Sequence, residues 1–383
     1  MKRGAGFGSA RGEYTMRILA VNWRDIRNPE AGGAEVHLHE ILSHLSRWGH
    51  GVTLIAAGWP GCAREETIDG IRVLRRGHWY DANFVLPLFA SRHLRHQTYD
   101  VVLEDINKLP FFMPLVTALP VVPVIPHLFG TTVFREANAL VAAYVVCMER
   151  FIPLVYRKSR FMVISPSTKE DLVARRIDPE RIDVVLCGLD HDRYRNLALE
   201  RFAEPTIVHL GRLRKYKSVE IVLRAMLKVR EGLPAAKLVI IGDGPHRPAL
   251  EREASRLGLG ESVRFAGFMR GDALVEYLNR AHLLVNPSPK EGWGLTVVEA
   301  NACGLPVVAS DRPGLRDSVR DGETGFLVPY GDDGAFAAKS LMILGDRELW
   351  NRMSASALER VKEFTWERCA DETLALLKRI VGR

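Results

Sequence analysis

Cysteine is scarce in this chain of 383 residues: Cys62, Cys147, Cys187, Cys303 and Cys369 are the only five, and none forms a C-x-x-C pair. An odd count without paired spacing argues against a disulfide framework and a structural zinc site, and for a reducing compartment. The expected location is therefore cytoplasmic. Long uninterrupted apolar runs are also missing. The most membrane-like stretch, Leu109 to Pro126, is broken by Pro110, Pro114, Pro120, Pro123 and Pro126, whereas a spanning helix needs about 20 apolar residues with every backbone group satisfied. The expectation is a soluble protein, at most peripheral at the inner face of the membrane. Charge of one sign is not concentrated either. The net +7 is spread, with 20 basic against 19 acidic residues in 16–190 and 30 against 26 in 191–383. That distribution excludes a basic reader of phosphate backbones, so no nucleic-acid partner is expected. Met1 to Thr15 is rich in Gly, Arg and Ser and lacks an apolar h-region, which excludes a secretory signal and reads as a disordered leader.

What is present is a repeated alternation of short β-branched runs with longer amphipathic segments, the pattern of βα units around a parallel sheet. Arg17–Asn22 reads as the first strand and Gly33–Trp48 as the first helix. Strands are then expected at Val52–Ala56, Val101–Glu104, Val121–Ile125, Phe161–Ser165 and Ile182–Leu186. After Cys187-Gly188-Leu189-Asp190 the pattern restarts, with strands at Thr206–Gly211, Lys237–Gly242, Val263–Phe265, Leu283–Asn286, Val307–Ser310 and Gly325–Val328. The expected fold class is α/β, with two Rossmann-like doubly wound domains facing across a cleft: a leader at 1–15, a first domain at 16–190 and a second at 191–364. A last helix at 365–383 is expected to pack back on the first domain. Ligands in such sheets bind at the carboxyl ends of the strands.

Three segments at those ends carry chemistry. Asn28-Pro29-Glu30-Ala31-Gly32-Gly33-Ala34-Glu35 follows a strand and opens a helix. Its paired glycines admit close backbone approach to an anion at the helix N-terminus, although a plain β–α turn reads the same way. Gly211-Arg212-Leu213-Arg214-Lys215-Tyr216-Lys217 also follows a strand. Arg212 and Lys217 could neutralise a diphosphate there, while an isolated basic run is more often a solvated turn. The strongest signal is Pro287-Ser288-Pro289-Lys290-Glu291-Gly292-Trp293-Gly294-Leu295-Thr296-Val297-Val298-Glu299-Ala300, which runs from a strand end through a Gly-rich loop into a helix. Glu291 and Glu299 flank a cradle of backbone N–H groups and suit two hydroxyl-bearing groups, since ionised carboxylates only accept hydrogen bonds.

These residues resemble the E-x7-E motif of retaining GT-B glycosyltransferases of the group 1, family 4 type. The resemblance extends to Gly32-Gly33-Ala34-Glu35, to the G-R-L…K segment, to Ile240–Pro245, to Phe265-Ala266-Gly267-Phe268 and to Ala302–Ser310, and covers nearly all of the chain from Met16. It implies a hexosyltransferase that uses a nucleotide-sugar donor bound mainly by the second domain, 191–364, a carbohydrate or lipid-linked acceptor bound mainly by the first, 16–190, and no cofactor or essential metal. Polysaccharide biosynthesis is the setting it suggests. By the same resemblance Glu299 would hold the ribose hydroxyls, and Glu291 the hydroxyls of the transferred sugar. Arg212 and Lys217 would bind the diphosphate and stabilise the leaving group. Gly292, Trp293, Gly294 and Leu295 would present backbone N–H groups, and Phe268 and Met269 would lie beside the base. Gly32 and Gly33 would approach from the opposite domain, and His127 would contact the sugar, although a lone histidine after an apolar strand is more often structural. Trp293 stands where the family more often has phenylalanine, and it is expected to keep a bulky aromatic wall.

Other patterns lead elsewhere. Asp190-His191-Asp192 spells D-x-D, which holds a divalent metal in another glycosyltransferase fold, but it falls in the presumed linker. His39-Glu40-Ile41-Leu42-Ser43-His44 has one residue too many for a zincin helix. Gly242-Asp243-Gly244-Pro245-His246-Arg247 lacks the third glycine of a dinucleotide fingerprint. The rival readings are a nucleotide-sugar epimerase of similar fold and a binding module without turnover. Phe134–Tyr156 and the proline-broken stretch read as core or as a lipid-facing surface.

Overall fold

The computed structural model describes residues 14–135 and 138–382, so the leader expected at 1–15 lies almost wholly outside them. The first eight strands are β1 (Arg17–Asn22), β2 (Gly51–Ala56), β3 (Glu65–Ile68), β4 (Ile71–Arg75), β5 (Val101–Asp105), β6 (Val121–Ile125), β7 (Phe161–Val163) and β8 (Ile182–Val184). They form one sheet in the order β3-β4-β2-β1-β5-β6-β7-β8. All neighbours are parallel except β3 and β4. That antiparallel pair was not expected from the strand pattern, yet its turn is Asp69-Gly70, both at positive φ (48° and 81°), as a tight hairpin requires. β5 and β6 are buried along their whole length, because helices cover both faces of a parallel sheet.

On one face lies α1 (Gly33–Arg47), whose buried Leu38, Ile41, Leu42 and Leu45 make an apolar stripe at helical spacing. On the other lies α2 (Ala82–Leu94), and the chain continues through α3 (Ala139–Arg150), α4 (Ile152–Val155) and α5 (Pro166–Ala174). α2 and α3 escaped sequence reading because they have no clean stripe: α2 buries Ala82, Leu86 and Ala90 but leaves Phe84 and Leu88 exposed. The expected strand Phe161–Ser165 stops at Val163 because Ser165 caps α5, its hydroxyl accepting from Thr168 N at 3.2 Å.

The second sheet holds β9 (Thr206–Leu210), β10 (Lys237–Ile241), β11 (Val263–Gly267), β12 (Leu283–Asn286), β13 (Val307–Ser310) and β14 (Gly325–Val328), all parallel, in the order β11-β10-β9-β12-β13-β14. Its helices are α6 (Glu220–Gly232), α7 (Arg247–Arg256), α8 (Gly271–Arg280), α9 (Leu295–Ala302), α10 (Leu315–Ser318), α11 (Asp333–Gly345) and α12 (Arg347–Val361). α13 (Trp366–Val381) closes the described chain, and Thr365 caps it by accepting from Arg368 N at 3.1 Å. Its buried Trp366, Cys369, Ala370, Thr373, Leu376 and Leu377 pack against α1, where the His37 and Trp366 rings are 6.1 Å apart. Strand order reverses between β1 and β5 in one sheet and between β9 and β12 in the other. Crevices for ligands open at such reversals, outside the carboxyl ends of the strands.

Candidate functional site

β9 and β12 are neighbours and parallel, so the loops that leave them start side by side. This brings Lys217 and Glu291 together although 74 residues separate them: Lys217 Nζ lies 2.5 Å from Glu291 Oε1. Both side chains are largely shielded, at 15% and 17% exposure. Burial opposes the charged form of each. The pairing more than offsets it, holding the Lys217 ammonium above and the Glu291 carboxyl below their ordinary values. The Glu291 loop is fixed from beneath, where its N–H donates to Pro313 O at 3.0 Å. Gly314 makes that approach possible, since a Cβ there, at φ +81°, would sit 2.3 Å from Glu291 O.

Arg212, after β9, crosses to the other sheet. Its Nη2 donates to Glu30 O at 3.1 Å and to Ala31 O at 2.8 Å. Gly32 lies directly beside it, for a Cβ there would meet Arg212 Nη2 at 2.9 Å. Gly33 faces Leu295 Cδ1 at 3.0 Å by the same measure. Gly292 lies close across the cleft to Pro126 and His127, for a Cβ there would meet Pro126 O at 3.1 Å and His127 Nδ1 at 3.5 Å. Burial, with help from Lys290, depresses His127 to about 4, so its ring is neutral at pH 7. Gly294, at φ +83°, is the N-cap of α9. One turn further on, Glu299 accepts a hydrogen bond from the Tyr194 hydroxyl. Burial pushes its carboxyl up to about 7 against that bond and the nearby Arg193.

Not every expected residue joins this group. Phe268 stands at the end of β11, two strands from β9, 62% exposed and covered by the Arg270 guanidinium at 4.3 Å. Met269 turns toward the core of the second sheet. Trp293 corrects an expectation: its side chain is no wall of the cleft. It is buried in the core shared with the first sheet and meets Phe364 edge to face at 5.3 Å. The loop must place its backbone at the cleft, and an indole of that size gains more by leaving water than by lining it. In the D-x-D segment, His191 Nε2 bonds Phe364 O at 2.9 Å and Asp190 Oδ1 accepts from Arg193 N at 3.1 Å. Both are contacts of the crossing between the two halves. His39 bonds Asp69 and His44 bonds Glu40 O, each at 2.8 Å, away from any shared centre.

Sequence reading missed several partners. Tyr194 holds Glu299. Lys290 Nζ reaches Asp171 Oδ2 across the cleft at 3.0 Å. Asp317 Oδ2 accepts from Gly314 N at 3.2 Å and from Ser167 N of the first sheet's α5 at 3.3 Å. His209, on β9, keeps Nδ1 3.2 Å from Val285 O, and its Nε2 has no partner. Apart from the Gly314–Asp317 capping contact, which is local to α10, they depend on which strands and loops the fold sets side by side, and no local pattern signals them.

Residues 31–193 match the family described as Glycosyltransferase Family 4, and residues 190–360 match Glycosyl transferases group 1. The chain is 36% identical over 215 residues to the D-inositol 3-phosphate glycosyltransferase of Geodermatophilus obscurus, covering 52% of this chain and 47% of that one. It is 34% identical over 212 residues to the Nocardia farcinica enzyme of the same name, covering 51% and 47%. The chain thus spans about half the length of the curated relatives it matches. Among solved structures, the sucrose-phosphate synthase of Thermosynechococcus elongatus superposes with a TM-score of 0.81 at 22% identity, over 96% of this chain and 99% of that one. Anabaena HepE, solved in complex with UDP-glucose, does so with 0.73 at 19% identity, over 94% and 100%. Two adjoining matches that together run from residue 31 to residue 360, on a fold shared with those structures, mean that the chain belongs to the group 1, family 4 glycosyltransferases of GT-B architecture.

Proposed function

We propose that the chain transfers a sugar from a nucleotide-sugar donor to a carbohydrate or lipid-linked acceptor, with retention at the anomeric carbon and without a metal. The observation that carries this reading is the shielded Lys217–Glu291 pair at the β9/β12 reversal, with Arg212, from the same segment after β9, reaching the loop after β1 in the opposite domain. Negative charge builds on the diphosphate as the glycosidic bond breaks. Lys217 and Arg212 are cations placed to stabilise it, Arg212 by exchanging two backbone carbonyls for phosphate oxygens. Glu291, held ionised by Lys217, would accept from hydroxyls of the transferred sugar. Glu299 would take the ribose hydroxyls in place of Tyr194, and neutral His127 would hydrogen-bond the sugar. Backbone N–H groups of 292–295 at the start of α9 would receive phosphate or sugar oxygens. The contacts of Gly292, Lys290 and Asp317 across the cleft would exclude water and limit donor hydrolysis. Uridine is the base to test first, because the HepE structure named above contains UDP-glucose.

Among the described residues no helix is long and apolar enough to cross a membrane. A peripheral contact is supported by exposed Phe84 (73%), Leu115 (74%) and Leu154 (62%), on segments that cover one face of the first sheet. Leu140, at 85% exposure, adds to it from α3. The protein would then act at the cytoplasmic face of the membrane in polysaccharide synthesis. Sedimentation with vesicles of anionic phospholipid checks that contact. The transfer reading is tested by thermal melting against UDP, GDP and ADP, followed by transfer from the matching nucleotide sugar. A ligand at 100 times its Kd stabilises the fold by about 2.7 kcal/mol. A shift with one nucleotide that disappears in Lys217→Ala is the expected result; epimerisation without acceptor, or binding without turnover, defeats transfer.

A further inference from the structure

Glu149 is a carboxylate in an unfavourable place. It lies in the last turn of α3, where the helix end repels negative charge, and it is fully buried. Burial pushes it above its ordinary value, against two N–H groups and the cations of Arg175 and Lys290. An apolar side chain would pack there at less cost, so its presence is explained by what it holds. Its Oε1 accepts from Phe129 N at 2.6 Å and its Oε2 from Gly130 N at 3.0 Å. These amides follow closely on His127. On the other side of the ring, Thr168 Oγ1 of α5 donates to Pro126 O at 2.9 Å. The loop that presents His127 is thus pinned before and after that residue.

The contacts continue across the cleft. Arg175, which closes α5, places Nη2 3.3 Å from Glu149 Oε2 and donates from Nε to Asp171 Oδ1 at 3.1 Å. Asp171 Oδ2 accepts in turn from Lys290 Nζ of the second domain at 3.0 Å. Burial opposes the charge of Asp171, and Lys290 and Arg175 outweigh it, holding the carboxyl below its ordinary value. Lys290 is the residue before Glu291, which pairs with Lys217. Negative and positive groups therefore alternate from α3 to the segment after β9: Glu149, Arg175, Asp171, Lys290, Glu291, Lys217. None of these side chains is more than 26% exposed, so water screens the series less than it screens ion pairs on an open surface. Besides burial, the influences on His127 are the charges of Lys290, Glu291, Lys217 and Asp171.

We propose that Glu149, Arg175, Asp171 and Lys290 are positioning residues for sugar transfer, an ionic relay that sets the His127 loop of the first domain and the Glu291 loop of the second at one spacing. The word transfer rests on the function proposed above, while the coupling of the two loops stands apart from it. Releasing Lys290 leaves Asp171 and Arg175 with one partner fewer, and loosens the grip of Glu149 on the amides after His127.

Measured coupling between its ends separates a relay from local packing. Hydrogen exchange read by mass spectrometry on the full chain reports the amides at 128–131, on the opposite domain from Lys290. In Lys290→Met and Asp171→Asn they should exchange about tenfold faster, and in Lys290→Arg at the wild-type rate. Steady-state transfer from the nucleotide sugar found by melting should lose about tenfold or more in kcat in the first two variants. KM for the donor should stay within about threefold of wild type, because geometry and not donor contact has changed. The double variant Asp171→Asn, Lys290→Met should be no slower than the slower single variant, since both remove the same link. Unchanged exchange at 128–131 in Lys290→Met overturns the relay, and so do additive losses of kcat or wild-type kcat in either single variant. Unchanged exchange at 290–293 in a cooperatively melting Glu149→Gln overturns it from the other end. A wild type that transfers no sugar while the exchange coupling holds would instead sink the transfer reading and leave the two loops joined.

Discussion

At Lys217 the ammonium lies 2.5 Å from the Glu291 carboxylate with little exposure to water, so deleting either partner strands the other charge. Lys217→Ala is expected to lower kcat/KM by about 10²–10³-fold, the range seen when one preorganised donor to a developing anion is removed. Steady-state kinetics with the nucleotide sugar found by melting checks this, and near-normal values would defeat the assignment. Glu299 adds a pH dependence. Burial raises its carboxyl to about 7, so the form that only accepts hydrogen bonds gains population as pH rises through that value. UDP affinity should tighten between pH 6 and 8 in the wild type and change less in Glu299→Gln, as isothermal calorimetry would show. Equal pH slopes for the two proteins would remove Glu299 from the ribose. Gly292→Ala tests the cleft itself: its methyl would press on Pro126 O at 3.1 Å. Activity should fall while the melting temperature stays within a few degrees of wild type.

Among the elements, α13 and the loop after β5 carry stability far from the reacting atoms. Leu377 is fully buried where α13 meets the core that α1 shares. Leu377→Ala should cost about 2–5 kcal/mol, as deletions of buried leucine methyl groups do; a urea titration measures it. Glu104, at the end of β5, accepts from Phe111 N, Phe112 N, Met113 N and the Tyr156 hydroxyl at 2.6–3.1 Å. It thereby fixes the proline-rich segment that composition alone could have assigned to a membrane. Glu104→Ala leaves the Phe111 and Met113 N–H groups and the Tyr156 hydroxyl without their acceptor, while Phe112 N keeps the Tyr156 oxygen at 3.0 Å, and a loss of several kcal/mol is expected from orphaned buried groups of about 1–3 kcal/mol each, only partly rehydrated. These elements also show what was legible. Strands such as Val121–Ile125, Leu283–Asn286 and Val307–Ser310 stand where their β-branched runs put them, because a buried parallel strand is apolar throughout. α2 and α3 were not legible, because both carry apolar residues on exposed sides as well as buried ones.

On the scale of the whole molecule, burial depresses His37, His127, His209 and His282 to about 4. An unfolded chain would protonate them near 6.5. Between these values the unfolded state binds more protons, so this stability is fully present above about pH 6.5 and is lost as pH falls toward 4. For His37 and His209, each about 1% exposed, the effect is on the order of 3 kcal/mol apiece. Glu104, raised to about 7 by burial against its four hydrogen bonds, works in the opposite sense, contributing stability at low pH that fades as pH rises through 7. Melting temperatures from pH 7 down to pH 5 should therefore fall less steeply in His37→Leu than in the wild type. Parallel curves would show that the buried histidines do not govern acid stability.

The alternation of strands and helices, the class of fold and the loop-into-helix segment that carries Glu291 and Glu299 were legible in the chain alone. Each of these is written in neighbouring residues: β-branched runs, glycines at turns, two carboxylates eight positions apart. Only the tertiary structure decided that β9 lies beside β12 and β1 beside β5, and that Arg212 reaches Glu30 and Ala31. It likewise decided that Tyr194 caps Glu299 and that Trp293 turns into the core. The physical reason is that these facts depend on which faces exclude water against each other. That choice is made by burial summed over both sheets, and no short stretch of chain contains it.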